Sequence, residues 1–113
     1  MPEPLFEPPY YAVIFTAVRT TEDDDGYSVT AARMEELAKA MPGYLGIESA
    51  RDPVTREGIT VSYWRDLASI AAWKAHLDHT EARRHGRERW YEGYALRVAR
   101  IEREYDFEAA WRP

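Results

Sequence analysis

The sequence predicts a single α+β domain with the element order β-α-β-β-α-β. Three observations point to it: apolar runs of strand length, two segments with helical spacing of apolar residues, and a chain of 113 residues. That length suits one domain, and a subunit this small gains additional burial when it associates. We expect the domain to span 10–107, with an extended tail at 1–9 and a short tail at 108–113.

The first strand is predicted over Tyr10–Val18, an apolar run rich in aromatic and β-branched residues. Alternate residues point to opposite faces of a sheet, and both sets are largely apolar here. A strand of this kind is covered on both sides. The acidic segment 22–25 and Gly26 then interrupt the run and suit a helix N-terminus, where carboxylates complement the dipole.

The first helix is predicted over 27–41 from apolar residues at helical spacing. These residues are Met34, Leu37, Ala38 and Met41, extended backwards by Tyr27, Thr30 and Ala31. Pro42 and Gly43 end the helix. Two short strands follow over Tyr44–Ala50 and Gly58–Trp64, joined by a turn-rich segment that contains Pro53.

A second helix is predicted after Asp66, whose carboxylate suits the N-cap, and it ends near His79. Its inward residues are predicted to be Leu67, Ile70, Trp73 and Leu77. Another short helical segment is expected over 80–90.

The last strand is predicted over 94–105, and its apolar phase shifts between Val98 and Ala99. Such a shift predicts a bulge or a strand that continues into a second sheet. Two helices cover only one face of a four-stranded sheet. We therefore expect the other face to pair with a second copy in a face-to-face homodimer.

Composition excludes several classes of site. The chain contains no Cys, Asn or Gln, so disulfides, thiolate ligands and side-chain amides are absent. Depletion of these residues is also typical of thermophilic proteins.

A net charge of −5 argues against nucleic acid as a partner. We see no signal peptide and no apolar run of membrane-spanning length, and we expect a soluble, cytoplasmic protein that does not bind membranes.

The titratable residues leave alternatives open. The histidines His76, His79 and His85 lack the partners of a metal site, so no metal is expected, and one of them is expected to line a pocket. The arginine run from Arg83 to Arg89 binds an anionic group or is a solvated helical face.

Aromatic and polar strand residues give a further group of candidates. The aromatic ones line a cavity for a flat ligand or pack a dimer interface. They are Trp64, Trp73, Trp90, Tyr63, Tyr91 and Tyr94. The polar ones on strands are Thr16, Glu48, Ser49, Thr60, Ser62 and Arg97. Glu48 either forms an ion pair with Arg97 or Arg51, or accepts a proton in a cavity that raises its pKa.

Several blocks of the sequence, taken in chain order, resemble the antibiotic biosynthesis monooxygenase superfamily. The resemblance is closest to its small single-domain bacterial members. The matching blocks are Tyr10–Thr16, Pro42–Ser49, Gly58–Trp64, Ile70 through Trp73-Lys74, His79, Gly86-Arg87, Trp90-Tyr91 and Arg97–Tyr105. The resemblance implies a ferredoxin-like fold, a dimeric α+β barrel and a ligand cavity between helices and sheet in each subunit.

Relatives of this superfamily fall into two groups. Some oxidise aromatic polyketides or quinols with O2 and no cofactor; others bind and degrade haem through an Asn on the first strand, a Trp on the second helix and a His beyond it. Trp73 matches that Trp, and His79 is a candidate for the His. The first-strand position falls at Phe15 or Thr16, and the chain contains no Asn.

The resemblance therefore favours a cofactor-independent monooxygenase that oxidises a small aromatic or quinol-like substrate. Its alternatives are a haem-binding or haem-degrading protein and a non-catalytic dimer that holds an apolar ligand. The expected catalytic residues are His79 as base or orienting group, Trp73 as pocket wall or hydrogen-bond donor, and Arg97 as anion partner. The expected substrate-binding residues are Trp64, Tyr63, Tyr91, Thr16 and Glu48.

Overall fold

A computed structural model describes residues 6–78 and 89–107 of the chain. It forms a four-stranded antiparallel sheet in the spatial order β2-β3-β1-β4, with two helices. The elements are β1 (Tyr10–Arg19), α1 (Asp24–Lys39), β2 (Tyr44–Arg51), β3 (Glu57–Trp64), α2 (Leu67–Asp78) and β4 (Tyr91–Ile101). This confirms the predicted order and the ferredoxin-like arrangement. The helical segment predicted for 80–90 lies outside the described residues up to 88.

Alternation along the strands divides the sheet into two faces. In β1, one face carries Tyr11, Val13, Phe15, Ala17 and Arg19, and the other carries Tyr10, Ala12, Ile14, Thr16 and Val18. Trp64 pairs with Tyr11 and stacks on Trp73 of α2, so the helices cover the first face. We call it the helix side, and we call the opposite face, which carries Tyr63, the open face.

The acidic segment positions the start of α1. Asp23 adopts a left-handed conformation (φ 51°) and its carboxylate accepts a hydrogen bond from the backbone N–H of Gly26 at 3.2 Å. Asp24 and Asp25 occupy the first turn. The helix thus begins at Asp24 rather than at Tyr27. The apolar stripe indicates a start at Tyr27, but the acidic residue that caps the helix lies before that stripe.

Asp66 caps α2 as predicted. Its carboxylate accepts hydrogen bonds from the backbone N–H and the hydroxyl of Ser69, both at 2.7 Å, and these bonds lower the pKa of Asp66. Gly43 lies against the Ser69 hydroxyl at φ +83°, so no side chain fits there. The prediction that Leu67 points inward is wrong, since Leu67 is 55% exposed. It is the first residue of the helix and lies before the turn that packs on the sheet.

The irregularity in β4 is not where the apolar phase suggested. Pairing with β1 is continuous through Val98 and Ala99, and it shifts between Gly93 and Tyr91 instead. Glu92 is therefore the extra residue of a bulge. The apparent phase shift arises because Leu96 and Val98 lie on the helix side while Ala99 and Ile101 lie on the open face, so β4 carries apolar residues on both faces.

Candidate functional site

A stack of three rings lies at one end of the helix side. Trp64 is fully buried, and its indole N–H donates to the Ser62 hydroxyl at 2.9 Å. Trp73 stacks on Trp64 with ring centroids 6.1 Å apart, and His76 stacks on Trp73 at 5.5 Å. Trp64 thus holds Trp73 in place, while the half-buried Trp73 and the exposed His76 present their rings outward.

A second aromatic group lies nearer the opposite end of the helix side. Phe15 packs against Tyr91 and Tyr94 with ring centroids 5.3 and 5.4 Å away. The next residues of β4 on this side, Leu96 and Val98, are 51% and 54% exposed. Apolar side chains with this exposure form an accessible strip beside the aromatic rings.

Hydroxyl groups lie on the helix side in the same row of the sheet as Phe15 and Leu96. The register places Ser49, Thr60, Phe15 and Leu96 across one row of the helix side. A mostly apolar surface with a few hydroxyl groups is typical of sites for small organic ligands.

Two arginines surround Tyr27, which lies in the first turn of α1. The guanidinium of Arg19 lies 3.7 Å from the centroid of the Tyr27 ring, and Arg19 is 4% exposed. Arg51 donates a hydrogen bond through Nη2 to the Tyr27 hydroxyl at 2.6 Å. The Tyr27 ring also packs edge-on against Trp90 and Tyr91, both at 5.8 Å.

Tyr91 lies between Tyr27 and Phe15. Its burial raises its pKa well above the ordinary value, and its hydrogen bond with Tyr27 raises it further, although Arg51 and Arg19 oppose the shift. Tyr91 therefore keeps its proton at physiological pH and is a hydrogen-bond donor.

Phenols and carboxylates pair on the open face. Tyr63 donates to Glu48 at 2.6 Å, and Tyr10 donates to Glu104 at 2.7 Å. Phe6 packs on both tyrosine rings, at 5.5 Å from Tyr10 and 6.0 Å from Tyr63. Burial, followed by the Glu104 carboxylate, raises the pKa of Tyr10 to about 12.

Comparison with known proteins decides the family. The model of the antibiotic biosynthesis monooxygenase family matches residues 9–85. The chain belongs to this family. It is 51% identical over 102 residues to the uncharacterized protein YqjZ of Bacillus subtilis, covering 90% of this chain and 88% of YqjZ.

Solved structures share the fold of this antibiotic biosynthesis monooxygenase family member. Rv0793 from Mycobacterium tuberculosis matches with a TM-score of 0.72 at 13% identity, over 86% of this chain and 99% of Rv0793. SnoaB, a cofactor-independent oxygenase from Streptomyces nogalater, matches with a TM-score of 0.65 at 10% identity, over 84% of this chain and 95% of SnoaB. At these identities the likeness shows the fold.

The sheet separates the site residues predicted for this family member into two groups. Trp64, Trp73 and Tyr91 lie on the helix side. The others that the structure describes lie on the open face: Thr16, Glu48, Tyr63 and Arg97. His79 lies outside the described residues. Of the predicted residues that the structure describes, Trp64 contacts Trp73, and Tyr63 contacts Glu48.

The proposed ion pair between Glu48 and Arg51 is not formed. The two residues lie on opposite faces of β2, and the Arg51 guanidinium lies over Gly58 on the helix side. Arg97 shares a row of the open face with Glu48, but β3 and β1 lie between their strands.

Sequence reasoning missed the group around Tyr27. It placed Tyr27 on the apolar stripe of α1 and assigned no role to Arg19. One signal was available: Arg19 follows an apolar strand directly and precedes the acidic segment 22–25, so it lies where a guanidinium can be buried and still meet a carboxylate.

The haem-degrading arrangement does not fit the first strand. Phe15 occupies the helix side there and packs on Tyr91 and Tyr94, while Thr16 points to the open face. Neither supplies an amide.

Among the residues that the structure describes, no group of three His, Cys, Asp or Glu side chains is placed to hold a metal ion. No helix in the described ranges is long and apolar enough to cross a membrane.

Proposed function

We propose that this protein is a cofactor-independent monooxygenase that oxidises a small, flat aromatic or quinol-like substrate with O2. One observation carries the proposal: on the helix side, a member of this family presents the exposed Leu96 and Val98 beside the rings of Phe15, Tyr91 and Tyr94, and a ring stack that includes Trp73 lies on the same face. A planar substrate stacks on such rings.

The reaction needs a substrate that supplies all the electrons. An anthrone, for example, loses a proton from its methylene carbon, and the resulting anion transfers one electron to O2. The radical pair combines, and loss of water leaves a carbonyl in place of the methylene group. One oxygen atom of O2 enters the product and the other leaves as water, so no external reductant is required.

The residues have distinct parts in this scheme. Trp73 positions the ring of the substrate, and the Tyr91 ring lines the same face. His79 is proposed as the base on the strength of the family resemblance. Trp64 acts through Trp73, since its own N–H is already donated to Ser62.

Oxygen uptake with a panel of anthrones and quinols tests the activity. We expect uptake with at least one compound, and a loss of about 100-fold in kcat/KM for Trp73→Ala, about 2.7 kcal/mol of transition-state stabilisation. Val54→Ala serves as the control, because Val54 is 88% exposed in the turn before β3 and should retain full activity. His79→Ala tests the proposed base in the same assay.

The outcomes separate the alternatives. Absence of uptake across the panel, or wild-type rates in Trp73→Ala, would overturn the oxygenase proposal. Binding of the same compounds without uptake identifies a non-catalytic carrier instead. A Soret shift on titration with haemin identifies a haem protein.

We also propose that two copies pair through their open faces. Ile59 is 52% exposed on this face, and Ile14 and Val61 lie in the neighbouring row. A second sheet would cover these side chains, which the helices leave uncovered.

Light scattering on the purified protein tests this pairing. We expect twice the chain mass of 13.1 kDa for the wild type and the chain mass for Ile59→Glu, which places a charge in the interface. Val29→Glu is the matched control, because Val29 is 72% exposed on α1. A wild-type monomer, or an Ile59→Glu dimer of unchanged affinity, would exclude open-face pairing.

A further inference from the structure

The Arg51 side chain folds back over its own sheet. An added Cβ at Gly58 would come within 2.9 Å of the Arg51 Cζ atom, so the guanidinium occupies the space that this glycine leaves. From there Nη2 donates to the Tyr27 hydroxyl at 2.6 Å, and Nη1 donates to the Arg56 carbonyl at 3.4 Å. Arg51 is thus held at a defined position on the helix side.

The neighbouring arginines have a carboxylate partner, whereas Arg51 has none among the residues that the structure describes. Arg19 and Arg56 both bind Asp24, at 3.1 and 2.5 Å, and together they lower the pKa of Asp24. Among the residues described by the structure, no carboxylate lies within 4.0 Å of the Arg51 guanidinium. Arg19 and Arg56 therefore share one carboxylate, whereas the Arg51 guanidinium donates to two neutral groups, the Tyr27 hydroxyl and the Arg56 carbonyl.

The Arg51 guanidinium adjoins the aromatic group of Phe15, Tyr91 and Tyr94 through Tyr27. Tyr27, which accepts the Arg51 hydrogen bond, packs edge-on against Tyr91, and Tyr91 packs against Phe15. A planar ligand that stacks beside Phe15 would place its rim near Tyr91 and Arg51. A guanidinium recognises an anionic oxygen there with geometric specificity.

We propose that Arg51 is the anion-binding residue of the helix side. Its ligand is a flat aromatic compound that carries one negatively charged oxygen, either a carboxylate or a phenolate. The inference rests on the proposed function in one respect, that the ligand is a planar aromatic compound bound on the helix side. It does not require that the ligand is oxidised.

Isothermal titration calorimetry with matched pairs of probes tests the assignment. The first pair is 2-naphthoate and its neutral analogue 2-naphthamide; the second is 4-nitrophenolate and its neutral analogue 4-nitroaniline. We expect the wild type to prefer the anion of at least one pair by about tenfold, a typical size for a charge-assisted contact that is open to solvent. The pair that shows the preference identifies the carboxylate or the phenolate as the recognised group.

Four variants locate the preference. Arg51→Met should abolish it, and Arg51→Lys should retain part of it because the charge remains but the fork geometry is lost. Gly58→Ala should weaken it without removing any charge, since the new methyl group displaces the guanidinium. Arg103→Met is the control: it removes the same charge beyond the end of β4, and the preference should persist.

Three results would each overturn the assignment. The first is equal affinity for anion and analogue in both pairs, and the second is that neither anion binds. The third is a preference in Arg51→Met as large as that of the wild type. These measurements are independent of turnover. Anion preference without oxygen uptake would overturn the proposed oxygenase activity and support the Arg51 site. Oxygen uptake without anion preference would support the oxygenase activity and overturn the Arg51 site.

Discussion

The two faces of the sheet use similar aromatic residues in different ways. On the helix side, Trp64 and Trp73 stack on each other, and the one buried N–H is satisfied by a serine hydroxyl. On the open face, Tyr10 and Tyr63 direct their hydroxyls to carboxylates. The comparison teaches that ring content alone does not identify a ligand site: the partner of each polar ring atom shows whether a ring supports packing or a polar network.

Stability should depend most on the helix side. Trp64→Ala removes the one large side chain among the described residues that is completely buried, and we expect a loss of about 3–5 kcal/mol in the free energy of unfolding. Urea denaturation followed by circular dichroism measures it, with Tyr105→Ala as the control because Tyr105 is 82% exposed. A loss below about 1 kcal/mol would show that the stack is not part of the core.

Arg19 provides the next largest effect. Its side chain donates to the Trp90 carbonyl at 3.1 Å, bonds Asp24 and covers the Tyr27 ring. Arg19→Met should lower the free energy of unfolding by about 2 kcal/mol, because the buried carbonyl loses its charged donor. Arg103→Met controls for the change in charge. Equal stability of the two variants would show that the Arg19 contacts contribute nothing net.

Tyr63→Phe addresses the open face. It removes the hydroxyl that donates a hydrogen bond to Glu48, and we expect a loss of about 1 kcal/mol in the free energy of unfolding. The same denaturation experiment should place this variant between Arg19→Met and wild type. If Tyr63→Phe is as damaging as Trp64→Ala, the open face is as much a core as the helix side, and the contrast between the faces fails.

The smallest effect near neutral pH is that of Tyr10. Its folded-state pKa of about 12 exceeds the ordinary value of 10.0, so the stability it contributes is complete below pH 10 and is lost as pH rises through about 12. Tyr10→Phe should therefore have a shallower alkaline loss of stability than wild type, measured by unfolding at a series of pH values. Absorbance at the tyrosinate band should lose the phenol that titrates near pH 12. Identical alkaline slopes in the two proteins would contradict the assigned cause.

Much of the fold was predictable from local patterns, since turn signals such as Pro42-Gly43 and caps such as Asp66 act over a few residues. The candidate site was predictable only in part. Tyr63 and Trp64 are adjacent in sequence but lie on opposite faces, whereas Arg19, Tyr27 and Arg51 are distant in sequence and meet in space. Residue type indicates the chemistry available, but strand register and topology decide which groups share a surface.

The bulge at Glu92 has a consequence for how the surfaces of this family member can change. Tyr91 and Tyr94 are three residues apart, a spacing that places residues of a regular strand on opposite faces, yet both pack on Phe15. Deletion of the single residue Glu92 would join Tyr91 to Gly93 in a regular strand, two positions before Tyr94, so both phenols would stay on the helix side. The bulge is thus the place where β4 can lose one residue without exchanging side chains between the two surfaces, whereas a one-codon deletion in the regular part of the strand would move every residue on one side of it to the other face.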